Sequence, residues 1–393
     1  MSKHKYAGNT AIVGIGATEF SKNSGRSELQ LAIEACVAAL DDAGVRPEQV
    51  NGLSTFTMET NPENDLMRSL GIKELTHFSR VHFGGGAPCG TVQLAAMAVN
   101  EGVADYVLCY RAINERSGRR FGAGVQDRPA GATAEEAQFA WTSSYGLLTP
   151  ASWVAMFATR IMHEFGVTSE DFGRVAVADR QHAANNPAAF FYQQPITLED
   201  HQNSRYIVEP LHLLDCCQET DGGQAMLVTT LERARDLRQT PVIIEAGAQG
   251  MADDQQMMRS FFRESLVGLP EMGTCARQMW ETSELTPDDI QTAVIYDHFT
   301  PFVLPQLEEF GFCARGEAKD FLRDGNIEMG GRLPINTHGG QLGEAYLHGM
   351  NGVAEGVRQV RGSSTNQVAD VEHVLVTAGT GVPTSALILG VDR

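Results

Sequence analysis

Four glycine-rich segments of the 393-residue chain carry the side chains best suited to chemistry. The first is Gly84-Gly85-Gly86-Ala87-Pro88-Cys89-Gly90, between a strand pattern and a helix pattern. Glycines there permit a tight turn and close backbone approach, and a helix start offers free N–H groups to an anion or a developing oxyanion. Cys89 is its nucleophile candidate, since a helix start lowers a thiol pKa; the competing reading is a small cysteine that only packs. The second segment, Tyr296-Asp297-His298-Phe299-Thr300, closes a strand at its C-terminal edge, where sites in α/β sheets tend to lie. A period of two puts Tyr296 and His298 on one face and Asp297 on the other. The third crowds ionisable groups ahead of a helix, in His338-Gly339-Gly340 and Gly343-Glu344-Ala345-Tyr346-Leu347-His348-Gly349. The fourth, Thr377-Ala378-Gly379-Thr380-Gly381, follows a strand in the manner of a backbone nest. Each alone reads as a loop; together, in a duplicated fold, they converge on one site.

Other chemistries find less support. Gly14-x-Gly16 after a strand invites a dinucleotide reading, but Glu19 holds the third glycine position and no helix begins there. No His-x-x-x-His or Cys-x-x-Cys spacing marks a metal site, and the vicinal Cys216-Cys217 pair is a poor zinc fork. Arg111, Arg116, Arg119 and Arg120, near Gly122 and Gly124, suit phosphates or a solvated surface equally well. With 30 Lys+Arg against 49 Asp+Glu the formal charge is −19, which argues against nucleic acid or an anionic membrane as partner. No apolar run reaches the roughly 20 residues of a membrane-spanning helix, and Met1-Ser2-Lys3-His4 leads into no signal-peptide core. Seven cysteines, an odd number, suit a reducing compartment, so a soluble cytoplasmic protein is expected.

The elements that must hold these loops alternate between strand and helix. Thr10–Gly16, Val50–Phe56, Leu75–Phe83 and Ala104–Tyr110 read as strands. Ser27 to Gly44 has helical spacing ending on a glycine cap, and a second helix opens near Gly90. From about Arg111 to Tyr206 the alternation gives way to helical stretches at Thr133–Trp141, Ser152–Phe165 and Ser169–Asn186, an insertion before Gly222–Thr230 completes the first half. The second half repeats the first. Val45-Arg46-Pro47-Glu48-Gln49-Val50 has its partner in Leu285-Thr286-Pro287-Asp288-Asp289-Ile290, each leading into a strand. The helix at Gly90-Thr91-Val92 has its partner at Gly349-Met350-Asn351, followed by the strand His373–Thr377. A duplicated α/β unit accounts for this most simply.

With these segments in view, the chain resembles the thiolase superfamily, specifically its sterol-carrier-protein-X type, over nearly its whole length. Ala11-Ile12-Val13-Gly14-Ile15-Gly16-Ala17-Thr18-Glu19-Phe20 is similar to that group's first strand, and Asp221-Gly222-Gly223-Gln224-Ala225 to its Asp-Gly-Ala-Ala segment. The resemblance implies an α/β thiolase fold, two βαβαβαββ halves in five αβαβα layers. It places the N-terminal half at 1–235, with a loop domain inserted at about 111–206, and the C-terminal half at 236–393. The reactive positions depart from a working thiolase. Ala87 stands where the acyl-carrying cysteine belongs, Tyr296 and Tyr346 stand where histidines belong, and Thr377 replaces the last cysteine. Acyl transfer through a covalent thioester is then disfavoured.

This pattern is similar to the steroid side-chain-cleaving aldolases, lipid-transfer-protein-like relatives of thiolase. The resemblance implies retro-aldol cleavage of a 17-hydroxy steroid with a three-carbon CoA side chain, giving a 17-ketosteroid and propionyl-CoA. For that chemistry Tyr346 is read as the base at the hydroxyl and Tyr296 as the acid at the α-carbon, with the reversed assignment as the alternative. Backbone N–H groups of Ala87 and Gly381 would hold the enolate oxygen, and His298 and His348 would orient or merely pack. CoA enters as part of the substrate, with no tightly bound cofactor and no metal. A homodimer through Leu75–Phe83 and a small OB-fold, zinc-ribbon partner protein are implied as well. Two alternatives stand beside it: an acyl-CoA thiolase using Cys89, and a non-catalytic acyl-CoA-binding subunit.

Overall fold

Short apolar runs become strands wherever both faces can be covered. A computed structural model describes residues 4–118, 120–123, 134–256, 258, 260–380 and 384–392. Arg119, Gly124 and Gly381 therefore lie outside the described residues. The first half supplies β1 (Thr10–Ala17), β2 (Gly52–Phe56), β3 (His77–Val81) and β4 (Val107–Asn114). A small hairpin of β5 (Tyr206–Val208) and β6 (Leu211–His212) precedes β7 (Asp221–Thr230). The second half adds β8 (Val242–Gly250), β9 (Thr292–Val294), β10 (His373–Ala378) and β11 (Thr384–Val391).

Nine of these strands form a mixed sheet in the order β3-β2-β4-β7-β1-β8-β11-β10-β9. The seam between halves is thin: β1 meets β8 only through Ala11↔Ile243 and Ile12↔Val242. On either side the pairing repeats. β2 runs parallel to β4, β4 antiparallel to β7, and β7 antiparallel to β1. Correspondingly β9 runs parallel to β10, β10 antiparallel to β11, and β11 antiparallel to β8. In the place of β3, the second half has a single parallel bridge from Ala293 to Ile335. The duplication inferred from loop matching is thus visible in strand order and direction.

Side-chain alternation along the strands builds the layers. Val107 and Cys109 of β4, Met226 and Val228 of β7, and Val374 and Val376 of β10 turn toward a central core. That core holds the helices Pro88–Asn100 and Met350–Arg361, each buried on most of its circumference, as a helix between two sheets must be. Leu108, Tyr110 and Ala112, together with Ala225 and Leu227, face outward onto the helix Glu28–Ala43. Ser27 caps that helix by accepting from the Gln30 N–H, and Gly44 ends it at φ +72°. Ala246, Ala248 and Leu375 face the opposite outer layer, with the helices Pro270–Ser283, Pro150–Phe165 and Ser169–Asn185. The layering is therefore helix, sheet, helix, sheet, helix, a thiolase fold.

One expected boundary moves. The insertion was placed from Arg111, yet β4 continues through Arg111 to Asn114. The strand tolerates a cation because Arg111, 2% exposed, pairs with the buried Glu59 carboxylate at 2.9 Å. Among the described residues no helix is long and apolar enough to cross a membrane.

Candidate active site

Loops at the ends of β4, β7, β9 and β10 converge around Tyr296 and Tyr346, and the space they surround is the candidate reaction chamber. Tyr296 lies just past β9, and its backbone is clamped on both sides. Its N–H donates to Thr377 Oγ1 at 2.9 Å, and Gln306 Nε2 donates to its carbonyl at 2.8 Å. Glycines make room for the ring: a Cβ on Gly85 would lie 2.0 Å from the Tyr296 hydroxyl, and one on Gly349 3.0 Å from ring carbon Cε2. Gly379, at φ +72°, presses onto Gly86 so closely that a Cβ would come within 2.3 Å of its Cα. The glycine loops of the two halves therefore stack on each other around Tyr296. Tyr346 is fixed by its N–H, which donates to Thr220 Oγ1 at 2.8 Å. Both phenols are buried, and they hydrogen-bond to each other. Burial pushes both well above the ordinary tyrosine pKa, so both are neutral.

The two histidines stand against the phenols as ring walls. His298 lies 4.8 Å from Tyr296, centroid to centroid, and stacks on Phe302 at 5.3 Å. Its Nε2 faces Met258 Sδ at 3.3 Å and Thr380 Oγ1 at 3.5 Å. Burial lowers its pKa to about 3, which leaves a neutral imidazole. His348 lies 5.0 Å from Tyr346 and in edge contact with Phe121 at 5.4 Å. Arg111 Nε donates to His348 Nδ1 at 3.3 Å, so the neutral ring carries its proton on Nε2. Burial, and then the Arg111 charge, hold that imidazole well below the usual histidine range. Both imidazoles are therefore neutral neighbours of the phenols.

Three expectations about this region change. Cys89 does begin a helix, but its thiol points into the central core and donates to the Val376 carbonyl at 3.5 Å. Burial drives its pKa well up, outweighing any effect of the helix start. It is a packing cysteine. The Ala87 N–H is already used, donating to the Gly84 carbonyl at 2.9 Å in the turn before the helix. Two members of the arginine group are already committed, Arg111 to Glu59 and His348 and Arg120 to Glu219 at 2.6 Å, which weakens the phosphate reading.

Asp297 points away from the chamber, as the period-two reading requires. Its carboxylate accepts from the Gln341 and Leu342 N–H groups at 2.8 and 3.1 Å. Gly340, at φ +63°, brings the backbone so near that a Cβ would lie 2.1 Å from Asp297 Oδ2. His338 and Glu344 sit 3.9 Å apart in the buried scaffold behind the loop. Glu344 also accepts from Asn351 Nδ2 at 2.9 Å and pairs with Arg358 at 3.3 Å.

Sequence reasoning missed two ionisable neighbours of the tyrosines, Glu115 and Cys217. Glu115 directly follows β4, and a carboxylate at a strand's C-terminal end was the signal available. Cys217 donates its N–H to the His298 carbonyl at 2.8 Å, and burial raises its thiol pKa well above the ordinary value. Beside His298 a pocket opens among Phe157, Phe261, Leu266, Leu269, Phe302 and Thr380. Among the described residues no three His, Cys, Asp or Glu side chains group to hold a metal ion.

A five-layered duplicated fold with two buried phenols between its converging loops defines a thiolase-type protein. A family model described as thiolase C-terminal domain-like matches residues 253–390. The chain is 66% identical to a steroid side-chain-cleaving aldolase of Thermomonospora curvata, over 98% of this chain and 99% of that one. It is 67% identical to a 17-hydroxy-3-oxo-4-pregnene-20-carboxyl-CoA lyase of Mycobacterium tuberculosis, over 98% of this chain and all of that one (100%). A solved structure described as an Ltp2-ChsH2(DUF35) aldolase superposes with a TM-score of 0.95 at 65% identity, covering 99% of both chains. The chain belongs to the steroid side-chain-cleaving aldolase family of the thiolase superfamily.

Proposed function

We propose that the protein is a carbon–carbon lyase that splits a 17-hydroxy steroid carrying a three-carbon CoA thioester into a 17-ketosteroid and propionyl-CoA. The observation that carries this reading is the hydrogen-bonded pair Tyr296 and Tyr346, buried where a thiolase would keep its reacting groups. A phenolate in that setting is costly, so a path that never leaves one standing is favoured. Tyr346 takes the proton of the C17 hydroxyl and passes its own to Tyr296. The bond from C17 to the α-carbon breaks, and its electron pair moves toward the thioester oxygen. In the same concerted step Tyr296 gives its own proton to the α-carbon as it receives the one from Tyr346, so neither phenol carries an extra proton. The product is neutral at both ends, and both phenols are restored. CoA takes part only as the leaving half of the substrate.

The thiolase alternative through Cys89 loses its support, because that thiol faces the core. For the assembly, the reading includes a homodimer and a small OB-fold, zinc-ribbon partner. β3 is the edge of the sheet and leaves Phe78 67% exposed, a surface suited to pairing with a second copy. A chain of charge −19 repels the phosphates of CoA, which favours a partner that shares the load. A relative solved as an Ltp2-ChsH2(DUF35) aldolase is by its description a complex of two proteins, which supports a heteromeric assembly.

The test is turnover of the steroid thioester by the complex, with products identified by mass spectrometry. Tyr296→Phe and Tyr346→Phe are each expected to lower kcat by about 10²–10⁴-fold, the usual worth of a positioned acid or base. Circular dichroism should show an unchanged fold. Full activity in either variant would remove that residue from the proton path, and binding without turnover by the wild-type complex would favour the non-catalytic subunit.

A further inference from the structure

The lyase reading requires hydrogen-bond donors for the thioester oxygen as it gains charge, and the Ala87 N–H is not free to serve. Besides His298, whose Nδ1 is unpaired, two further side chains near the tyrosines hold unused hydrogen-bonding atoms. Glu115 is 2% exposed, and its Oε2 has no partner among the described residues. Its carboxyl group accepts from the backbone N–H of Phe121, whose ring packs on His348 at 5.4 Å. Gln218 is 8% exposed, and its Nε2 likewise has no partner among the described residues. Its Oε1 accepts from Lys22 Nζ at 3.4 Å, which leaves the amide NH2 as the idle end.

The chain brings both to the surroundings of the tyrosine pair, where both adjoin Lys22. Gln218 sits on the strap from Cys217 to Thr220, which bonds to His298 at one end and to Tyr346 at the other. Glu115 is an electrostatic neighbour of Tyr296, Tyr346 and Cys217. Buried polar atoms are rarely left unpaired, and two at the edge of a reaction chamber point to an oxygen-bearing ligand.

We propose that Glu115, as a neutral carboxylic acid, and Gln218, through its amide NH2, jointly hold the thioester oxygen of the substrate while the carbon–carbon bond breaks. Both groups donate hydrogen bonds and transfer no proton. In the transition state part of the electron pair of the breaking bond is carried on that oxygen, and it returns to the α-carbon as that carbon takes the Tyr296 proton. Glu115 meets the requirement at neutral pH. Burial and then the nearby Glu219 charge push it up to about 8, while the Phe121 N–H, Arg111 and Lys22 pull the other way. Cys217 and the tyrosine pair, which complete its ionisable surroundings, are neutral there. Once ionised, Glu115 would accept hydrogen bonds only and would repel the enolate.

This assignment rests on the lyase reading, and the kcat–pH profile of the complex on the steroid thioester separates the two. Wild-type kcat is expected to fall above about pH 8 as Glu115 ionises. Glu115→Gln keeps a neutral donor, so it should retain turnover and lose that alkaline limb. Glu115→Ala and Gln218→Ala should each lower kcat by about 10²–10³-fold with little change in KM, the usual cost of one oxyanion donor. An infrared carboxylic-acid band that titrates in the wild type and is missing in Glu115→Gln gives a readout independent of turnover. An alkaline limb that persists in Glu115→Gln, or no such band in the wild type, would overturn this role and leave the lyase reading standing. A wild-type complex that cleaves nothing would overturn both.

Discussion

Water stabilises a phenolate, and Tyr296 and Tyr346 are buried away from bulk solvent. Phenols in such a place work as neutral donors linked in series, because the pair can hand a proton along without either member holding charge. The same desolvation acts on Glu115 with a measurable consequence for stability. Its pKa rises from 4.5 to about 8 on folding, so the folded state holds a proton that the unfolded state releases. Its contribution is complete below about pH 4.5 and is lost as pH climbs through about 8. Denaturant titrations across that window should show wild-type stability falling with pH, and Glu115→Gln should flatten the slope. Equal slopes in the two proteins would mean that Glu115 ionises normally.

At the scale of elements, the site depends on backbones brought closer than side chains permit. Three glycine contacts do this: Gly85 on the Tyr296 hydroxyl, Gly379 on Gly86, and Gly340 on Asp297. Each joins two loops that arrive from distant parts of the chain. Gly85→Ala puts a methyl 2.0 Å from the Tyr296 oxygen, so either the ring or the loop must shift. A misplacement of about 1 Å can cost on the order of 10²-fold in rate. We expect that loss in kcat with the thermal unfolding midpoint changed far less than kcat. Wild-type turnover in Gly85→Ala would show that the ring does not need this seat. Asp297, the residue between Tyr296 and His298, ties the β9 exit to the N–H groups of Gln341 and Leu342. The strand thereby presents its reactive face to the chamber and anchors itself with the other.

For the whole molecule, the two halves meet at a seam of two residue pairs, yet they share the central helices Pro88–Asn100 and Met350–Arg361. Apolar packing between the sheets therefore does what strand pairing does not. The same sheet ends on β3, whose open edge carries Phe78. Phe78→Glu should turn a dimer into a monomer in analytical ultracentrifugation, because a buried unpaired carboxylate at each copy's edge outweighs the remaining contacts. A dimer that survives the substitution would place the interface elsewhere.

Local rules alone were enough for much of this protein. Strand and helix order, the duplication and the glycine loops follow from spacing, a property of neighbours along the chain, while the two tyrosines stood out only through the resemblance to thiolase. The helix over residues 27–44 needed only its Ser27 and Gly44 caps to be legible. The roles of Cys89, Ala87 and Arg111 were decided by partners far away in sequence: the Val376 carbonyl for the thiol, the stacked loops that tighten the turn at Gly84, and Glu59 for the guanidinium. Glu115 stayed hidden for the same reason, since its proton is held by burial and by Glu219, which strand pairing brings near. Residue type sets what a group is able to do, and the dielectric and the neighbours supplied by the packed fold set its protonation and its partner.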